Sequence, residues 1–493
     1  MHPSDFEPFF KPKGIAMIGA SASPNKWGFR ILANIITGGY KGLICPVNPK
    51  AGTLLGLKVY PSLKTIQDDV DLAVITIPSQ RVFKALEECA ERGIRSVVII
   101  SSGFSETGPQ GRTLENEISR LAREKGLHFI GPNTMGIFSA PSHLHILMPP
   151  VQPPRGGVSY VSQSGNVGVQ MLAWGMERGV GFSKFVSSGT EGDLQCEDYL
   201  EYFTTDPETK VLLTYIEGLK DGRRFLEIAR KAALTKPLIF FKGGKSDVGS
   251  KAAQSHSGAM ASRYNLFKAA CHQAGLIEAE TTDSMLDYAA AFLNYPLPQG
   301  NRIAVLTRGG GWGVVAADAC RQWGLELPAL SDRLIEKLNQ ILPAYWSHGN
   351  PVDMAATLSP EALPKCLEVL IQEDGLDGII AQGVEARVKT SLSIERLGKM
   401  NLLDGIEVEK KQEEHLDVHL IMDLMAAYKK PVIMVSGVSS FTRAVSYHGQ
   451  KTVIFPTPER GARAMAKLWQ YSRHLQNNGP SSKKSVKCPK LKI

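Results

Sequence analysis

Five apolar runs in the first 140 residues each carry a glycine or proline as the last or next-to-last residue. They are GIAMIGA (14–20), GLICPVNP (42–49), DLAVITIP (71–78), SVVIISSGF (96–104) and HFIGPN (128–133). Runs that are apolar throughout, rather than alternating, suit strands buried on both faces, as in a parallel sheet. Parallel neighbours need long crossovers, and helical patterns at 28–37, 82–92 and 111–125 supply them. Strands alternating with helices in this way constrain the chain to an α/β, doubly wound sheet.

The pattern recurs twice. After the proline-rich joint MPPVQPPRGG (148–157), a second series runs through GVSYVSQSG (157–165), FSKFVSSG (182–189), VLLTYIEG (211–218) and PLIFFKGG (237–244). Helices are expected at 167–178, 196–204, 222–233 and 262–274. Residues 296–301 form a second linker. A third series opens at RIAVLTRGGGWG (302–313) and continues in LDGIIAQG (376–383), PVIMVSG (431–437) and TVIFP (452–456). A length of 493 residues suits three such domains. The polar stretch 388–428 reads as an exposed insertion or helical layer. Residues 479–493, with Lys483, Lys484, Lys487, Lys490 and Lys492, read as a disordered basic tail.

Composition narrows the class of function. A net charge of +8 is modest for this size and favours acidic small molecules such as phosphates over nucleic acid. The seven cysteines are scattered without a CxxC, so no zinc or other metal site is expected, and reduced thiols point to the cytoplasm. The N-terminus lacks a secretory pattern, and no apolar stretch approaches a membrane span.

Ligands of open α/β sheets bind beyond the carboxyl ends of the strands. In the first domain those ends carry GASASPNKWG (19–28), PVNPKAG (46–52), TIPS (76–79), SSGFSETG (101–108) and GPNTMG (131–136). Small residues there let backbone N–H groups approach a phosphate at a helix N-terminus. Lys26 and Lys50 are its natural cationic partners, though each taken alone is also an ordinary surface charge. In the second domain Ser162, Ser164 and Gly165 end a strand before a helix. That suits a phosphate cradle or, equally, a structural N-cap. Residues 252–262, AAQSHSGAMAS, place His256 among small residues, with Ser255, Ser257 and Gly258 beside it. An imidazole there is accessible to a phosphoryl group and is nucleophilic at neutral pH, while a loop or cap role stays open. Glu217, at the end of VLLTYIE, could orient the ring or serve as a surface or capping carboxylate.

The set GASASPNKWG, PVNPK, IPS, SSGF.E.G, GPN.MG, VSQSGNVG and SHSGAMA, in this order, resembles the α subunit of nucleoside-diphosphate-forming acyl-CoA synthetases. ADP-forming acetyl-CoA synthetase is an example, and succinyl-CoA synthetase α is a more distant relative. The resemblance covers about residues 8–475. It implies a Rossmann-like CoA-binding domain at 1–147, a flavodoxin-like ligase domain with a phosphohistidine loop at 148–296, and a second flavodoxin-like domain at 297–478. It implies interconversion of acyl-CoA, ADP and phosphate with carboxylic acid, CoA and ATP, through an acyl phosphate and a phosphohistidine. His256 matches the phosphohistidine and Glu217 the carboxylate that orients it. Ser162, Ser164, Gly165, Gly189, Ser255, Ser257 and Gly258 match the surrounding loops. Gly19, Ala20, Ser21, Lys26, Gly28, Asn48, Pro49, Lys50, Pro78, Ser102, Gly103 and Asn133 match the CoA-contacting loops.

One departure carries weight. No segment resembles the ATP-grasp domains that bind ATP or ADP with Mg2+, and there is no P-loop. The nucleotide and metal are therefore expected on a partner β subunit, in a heterotetramer or related assembly. In the third domain, TRGGGWG (307–313) and NPVDMAA (350–356) read first as structural or interface loops. Two other classes compete: a non-catalytic CoA-sensing scaffold, and a Rossmann-type NAD(P) oxidoreductase, the latter disfavoured by the missing GxGxxG and by Lys50 where an acidic residue would close the second strand.

Overall fold

The computed structural model describes residues 3–50, 52–251, 264–355, 359, 361–384, 416–436, 442–447 and 450–479. The chain divides into two compact units, residues 1–289 and 290–493. The first holds two large sheets and a two-stranded hairpin sheet, and the second holds one large sheet.

Helix α1 (Glu7–Phe10) leads into β1 (Gly14–Ile18), α2 (Trp27–Thr37) and β2 (Leu43–Val47). The hairpin β3 (Gly52–Leu54) and β4 (Leu57–Val59) follows, then β5 (Leu72–Ile75), α3 (Val82–Glu91), β6 (Ser96–Ile99), α4 (Pro109–Lys125) and β7 (His128–Ile130). The sheet order is β2-β1-β5-β6-β7, and every pair is parallel. Chain order around the sheet reverses between β1 and β5, which makes that gap the switch point where a doubly wound sheet binds its ligand.

Residues 136–147 precede the proline-rich joint, yet they do not extend this sheet. They form two short strands, β8 (Gly136–Ser139) and β9 (Leu144–Leu147), and β8 pairs antiparallel with β11 of the second sheet. The second sheet continues through β10 (Arg155–Ser162), α5 (Gly165–Arg178), β11 (Phe182–Ser187), α6 (Cys196–Thr205), β12 (Val211–Ile216), α7 (Gly222–Ala233), β13 (Leu238–Lys242), α8 (Tyr264–Gln273), β14 (Ile277–Glu278) and α9 (Thr282–Asn294). Its order is β14-β13-β12-β10-β11-β8-β9, so its switch point lies between β10 and β12.

The two sheets share one core. Ile15, Met17, Leu72 and Val74 of the first belong to the same buried cluster as Val161, Val186, Leu212 and Phe240 of the second. The N-terminal segment adds to it: Phe6 and Phe10 stack on Tyr202 of α6 at centroid distances of 5.1 and 5.3 Å. Such pairs contribute about 0.5–1.5 kcal/mol each beyond their buried area. A continuous apolar core between the sheets holds the ends of their strands in a fixed relation, which is what a site built from both requires.

The second unit contains β15 (Ile303–Thr307), α10 (Gly310–Gln322), α11 (Asp332–Asn339), β16 (Val352–Asp353), α12 (Ala362–Ile371), β17 (Gly378–Gln382), α13 (Leu416–Tyr428), β18 (Val432–Val435), β19 (Arg443–Tyr447), β20 (Gln450–Phe455) and α14 (Pro458–Asn478). The order β16-β15-β17-β18-β20-β19 is again doubly wound, with β19 antiparallel at the edge. The lysine-rich tail and most of 388–428 lie outside the described residues. Among the described residues no helix is long and apolar enough to cross a membrane, and six cysteines are buried and unpaired.

Candidate active site

Within the first unit a cleft of about 610 Å³ opens where the carboxyl ends of both sheets meet. From the first sheet it is lined by Gly19, Lys26, Trp27, Gly28, Thr76, Pro78, Ser102 and Asn133; from the second, by Gln163, Ser164, Gly165, Gly189 and Thr190. Nine residues singled out from the sequence thus converge on one cleft.

The first half is built on close backbone approach. Gly19 follows β1 with φ +94°, and a Cβ on Gly28 would lie 2.0 Å from the Gly19 carbonyl oxygen. Two glycines let the start of α2 rest on the end of β1. Lys26 is the N-cap of the helix, and no side chain caps it, so its first N–H groups face the cleft with the positive end of the helix dipole. Across the switch point, the Thr76 hydroxyl donates to the carbonyls of Ile18 and Gly19, both at 3.2 Å. Asn133 adopts φ +56° after the cis Gly131–Pro132 bond, and its N–H donates to Ser101 O at 2.9 Å.

The second half begins at α5. Ser164 is its N-cap, its hydroxyl accepting weakly from Val167 N at 3.5 Å. A Cβ on Gly165 would meet Met135 Cγ at 2.2 Å, and one on Gly189, at φ +64°, would meet Pro132 O at 2.1 Å. The Thr190 N–H donates to Pro132 O at 3.0 Å and its hydroxyl to Glu115 at 2.8 Å. These contacts lay the 131–133 loop of the first sheet against the 188–190 loop of the second. Two helix N-termini, those of α2 and α5, therefore face one cleft, and each stabilises a nearby anion by about 0.3–1 kcal/mol.

Other candidates take supporting places. Ser162 is fully buried, and its hydroxyl donates to Ser164 O at 2.6 Å, shaping the turn rather than facing the cleft. Ala20 is buried and accepts from Asn48 Nδ2 at 2.7 Å; Asn48 Oδ1 in turn accepts from Lys50 N–H at 2.9 Å. Pro49 and Lys50 are exposed at the end of the edge strand β2, outside the lining. The Ser21 hydroxyl accepts from Ser23 N–H at 3.1 Å. Gly103 N–H donates to Glu106 at 2.6 Å, which turns it into its own loop. Ser255, His256, Ser257 and Gly258 lie outside the described residues.

Glu217 stands just past β12, beside the second switch point. Its carbonyl accepts from Lys242 Nζ at 2.7 Å. Burial first, and then the Glu217 carboxylate, push the Tyr215 phenol up, while burial pushes the Lys242 ammonium down against the pull of Glu217. The sequence reading passed over two residues here: Gln163, between the two cradle serines, and Glu191, two residues beyond Gly189. Glu191 is 4% exposed at φ +56° and accepts from the Ser188 hydroxyl at 2.8 Å. Burial lifts its carboxyl to about 7, against the opposing effects of Ser188, Lys220 and Gln163. Among the described residues no group of three or more His, Cys, Asp or Glu is placed to hold a metal ion.

Comparison with known proteins agrees with this geometry. Three family models match in order: a CoA binding domain over residues 13–140, a succinyl-CoA ligase like flavodoxin domain over 155–292, and a ligase-CoA domain over 303–397. The α subunit of acetate–CoA ligase [ADP-forming] II from Pyrococcus furiosus is 41% identical over 76% of this chain and 81% of its own length. The α subunit of enzyme I from the same organism is 34% identical over 95% and 98%. The chain spans only 62% of the acetate–CoA ligase [ADP-forming] of Methanocaldococcus jannaschii, at 37% identity. The solved dinucleotide forming acetyl-coenzyme A synthetase 1 of Ca. Korarchaeum cryptofilum, in complex with phosphate and ADP, superposes with a TM-score of 0.79. It is 30% identical, and the match covers 96% of this chain and 97% of that one. With the cleft formed by the matched CoA-binding and ligase-like segments, and with similarity running nearly end to end, this chain belongs to the ADP-forming acyl-CoA ligases, in the form of their α subunits.

Proposed function

We propose that this chain is the CoA-binding, phosphoryl-carrying subunit of an ADP-forming acyl-CoA ligase. The observation that carries this reading is the shared cleft: the glycine-lined end of β1 and the N-terminus of α5 face the same space. A CoA thioester held by the first half would present its acyl carbon beside an anion cradle belonging to the second. Phosphate would attack that carbon and expel the CoA thiolate, leaving an acyl phosphate. A nitrogen of His256 would then take the phosphoryl group, releasing the carboxylate, and pass it to ADP. Glu217 would hold the imidazole in the tautomer whose free nitrogen attacks. In the cleft, Lys26 and the open N–H groups of α2 suit the CoA phosphates, and the 164–166 and 189–190 turns suit the transferred phosphoryl group.

The nucleotide and Mg2+ fall to a partner subunit of ATP-grasp type. The relatives named as α subunits support a partner. A cytoplasmic setting fits the buried, unpaired thiols.

The test is reconstitution. This chain and its ATP-grasp partner are purified together and given acetyl-, branched- and aryl-CoA thioesters with ADP, phosphate and magnesium. Sustained release of free thiol, beyond one equivalent per chain, should require both subunits, ADP and phosphate, and the preferred thioester identifies the acid. Multiple-turnover thiol release by this chain alone, or any release independent of phosphate, overturns the reading.

A further inference from the structure

A side chain bridges the second switch point. β10 and β12 are parallel neighbours paired up to Ser162 and Tyr215, and β10 ends at that pair. There the Gln163 carboxamide spans the gap: its oxygen accepts from the N–H groups of Glu217 at 2.6 Å and Gly218 at 3.1 Å. Its nitrogen donates to Gly218 O at 2.7 Å. Gln163 N–H itself donates to Tyr215 O at 3.2 Å. The same residue lines the cleft and immediately precedes the Ser164 N-cap of α5.

We infer that Gln163 is a positioning residue that fixes the Glu217 carboxylate relative to the N-terminus of α5. Three observations exclude a filler role. An aliphatic side chain of the same length would leave two backbone N–H groups and one carbonyl without partners at the rim of the cleft. The three bonds go to one dipeptide, so they fix a turn rather than spread over a surface. The buried Glu191 also faces the amide, since Gln163 is among the groups that stabilise its ionised form. The carboxamide is thus held from one side while it holds Glu217 on the other. A residue of this kind acts on rate more than on binding, because displacement of a catalytic group by about 1 Å is worth on the order of 100-fold.

This inference rests on the ligase reading, and the experiment separates the two. Gln163→Met and Gln163→Asn are made in the reconstituted holoenzyme, alone and combined with Glu217→Gln, and kcat and KM for the preferred acyl-CoA are measured with the thermal midpoint of each variant. Each Gln163 substitution should lower kcat by about 10- to 100-fold with KM changed less than about threefold. In the Glu217→Gln background the same substitution should lower kcat by less than about threefold, because the group it positions is already disabled. Multiplicative losses in the double variants, or losses that track the thermal midpoint, overturn the positioning role; the Asn variant keeps both amide groups and guards against misfolding of the Met variant. An inactive wild-type holoenzyme overturns the ligase reading instead.

Discussion

Replacing Glu191 with glutamine should make the protein more stable at alkaline pH and remove part of its pH dependence. Glu191 is buried at the carboxyl end of β11, and burial raises its carboxyl from 4.5 to about 7. Between those values the folded chain binds a proton that the unfolded chain has lost, so stability falls as pH rises through this window. Below about 4.5 both states are protonated and the residue costs nothing. Above about 7 the folded state carries an ionised carboxylate in apolar surroundings, at a cost on the order of 3 kcal/mol from the difference in pKa. Glutamine has nearly the same shape and cannot ionise. Its oxygen can still accept from the Ser188 hydroxyl, which now donates at 2.8 Å. Its NH2 group would face the Gln163 amide, and the mismatch costs about 1 kcal/mol at every pH. The slope is therefore the test. Urea unfolding of wild type and Glu191→Gln is followed at pH 5, 6, 7 and 8 by hydrogen exchange in peptides covering 155–216. The variant should gain on wild type progressively, by on the order of 3 kcal/mol between pH 5 and 8. Two parallel curves would refute the argument, because they would show that Glu191 ionises alike in both states.

Gly28→Ala should raise the KM for CoA at least about tenfold, because its Cβ would sit 2.0 Å from the Gly19 carbonyl and push α2 off β1. Gly222→Ala, at a helix start with open space around it, should leave that KM unchanged, which steady-state kinetics will check. Gly189→Ala combines a φ of +64° with a 2.1 Å contact to Pro132 O, so it should separate the 131–133 and 188–190 loops and lower kcat together with the thermal midpoint. Asp206→Ala leaves the 6%-exposed Lys184 ammonium without the carboxylate it meets at 2.7 Å. It should cost about 3–5 kcal/mol, and Lys184→Met in the same chain should restore much of that in chemical unfolding.

What could be read from the sequence was decided by how locally each feature is encoded. The parallel strands announce themselves, because strands covered on both faces must be apolar and must end where the chain turns, as at Gly19 and Gly165. β8 and β9 did not: each is four residues long, and they follow directly on the last strand of one sheet while pairing with another. Lys50 follows β2, but β2 is the edge strand beyond β1, one place removed from the gap between β1 and β5 where the cleft lies. Ser162 suits a cradle or a cap when read in sequence, but the alternation of side chains along β10 turns it inward. Gln163 carried no motif, since an amide is neither a nucleophile nor a charge. Its importance appears only when β12, some fifty residues later in the chain, is brought alongside. Glu191 reads as a loop carboxylate until tertiary packing buries it.

The most direct test of the central claim is to find the phosphoryl group on this chain. The holoenzyme is incubated with labelled ATP and magnesium, the subunits are separated, and the label on this one is tested for lability in acid and stability in base. The account predicts label of that chemistry on wild type, its loss in His256→Ala, and its release when ADP is added. Label that persists in His256→Ala, or that appears only on the partner subunit, would contradict it.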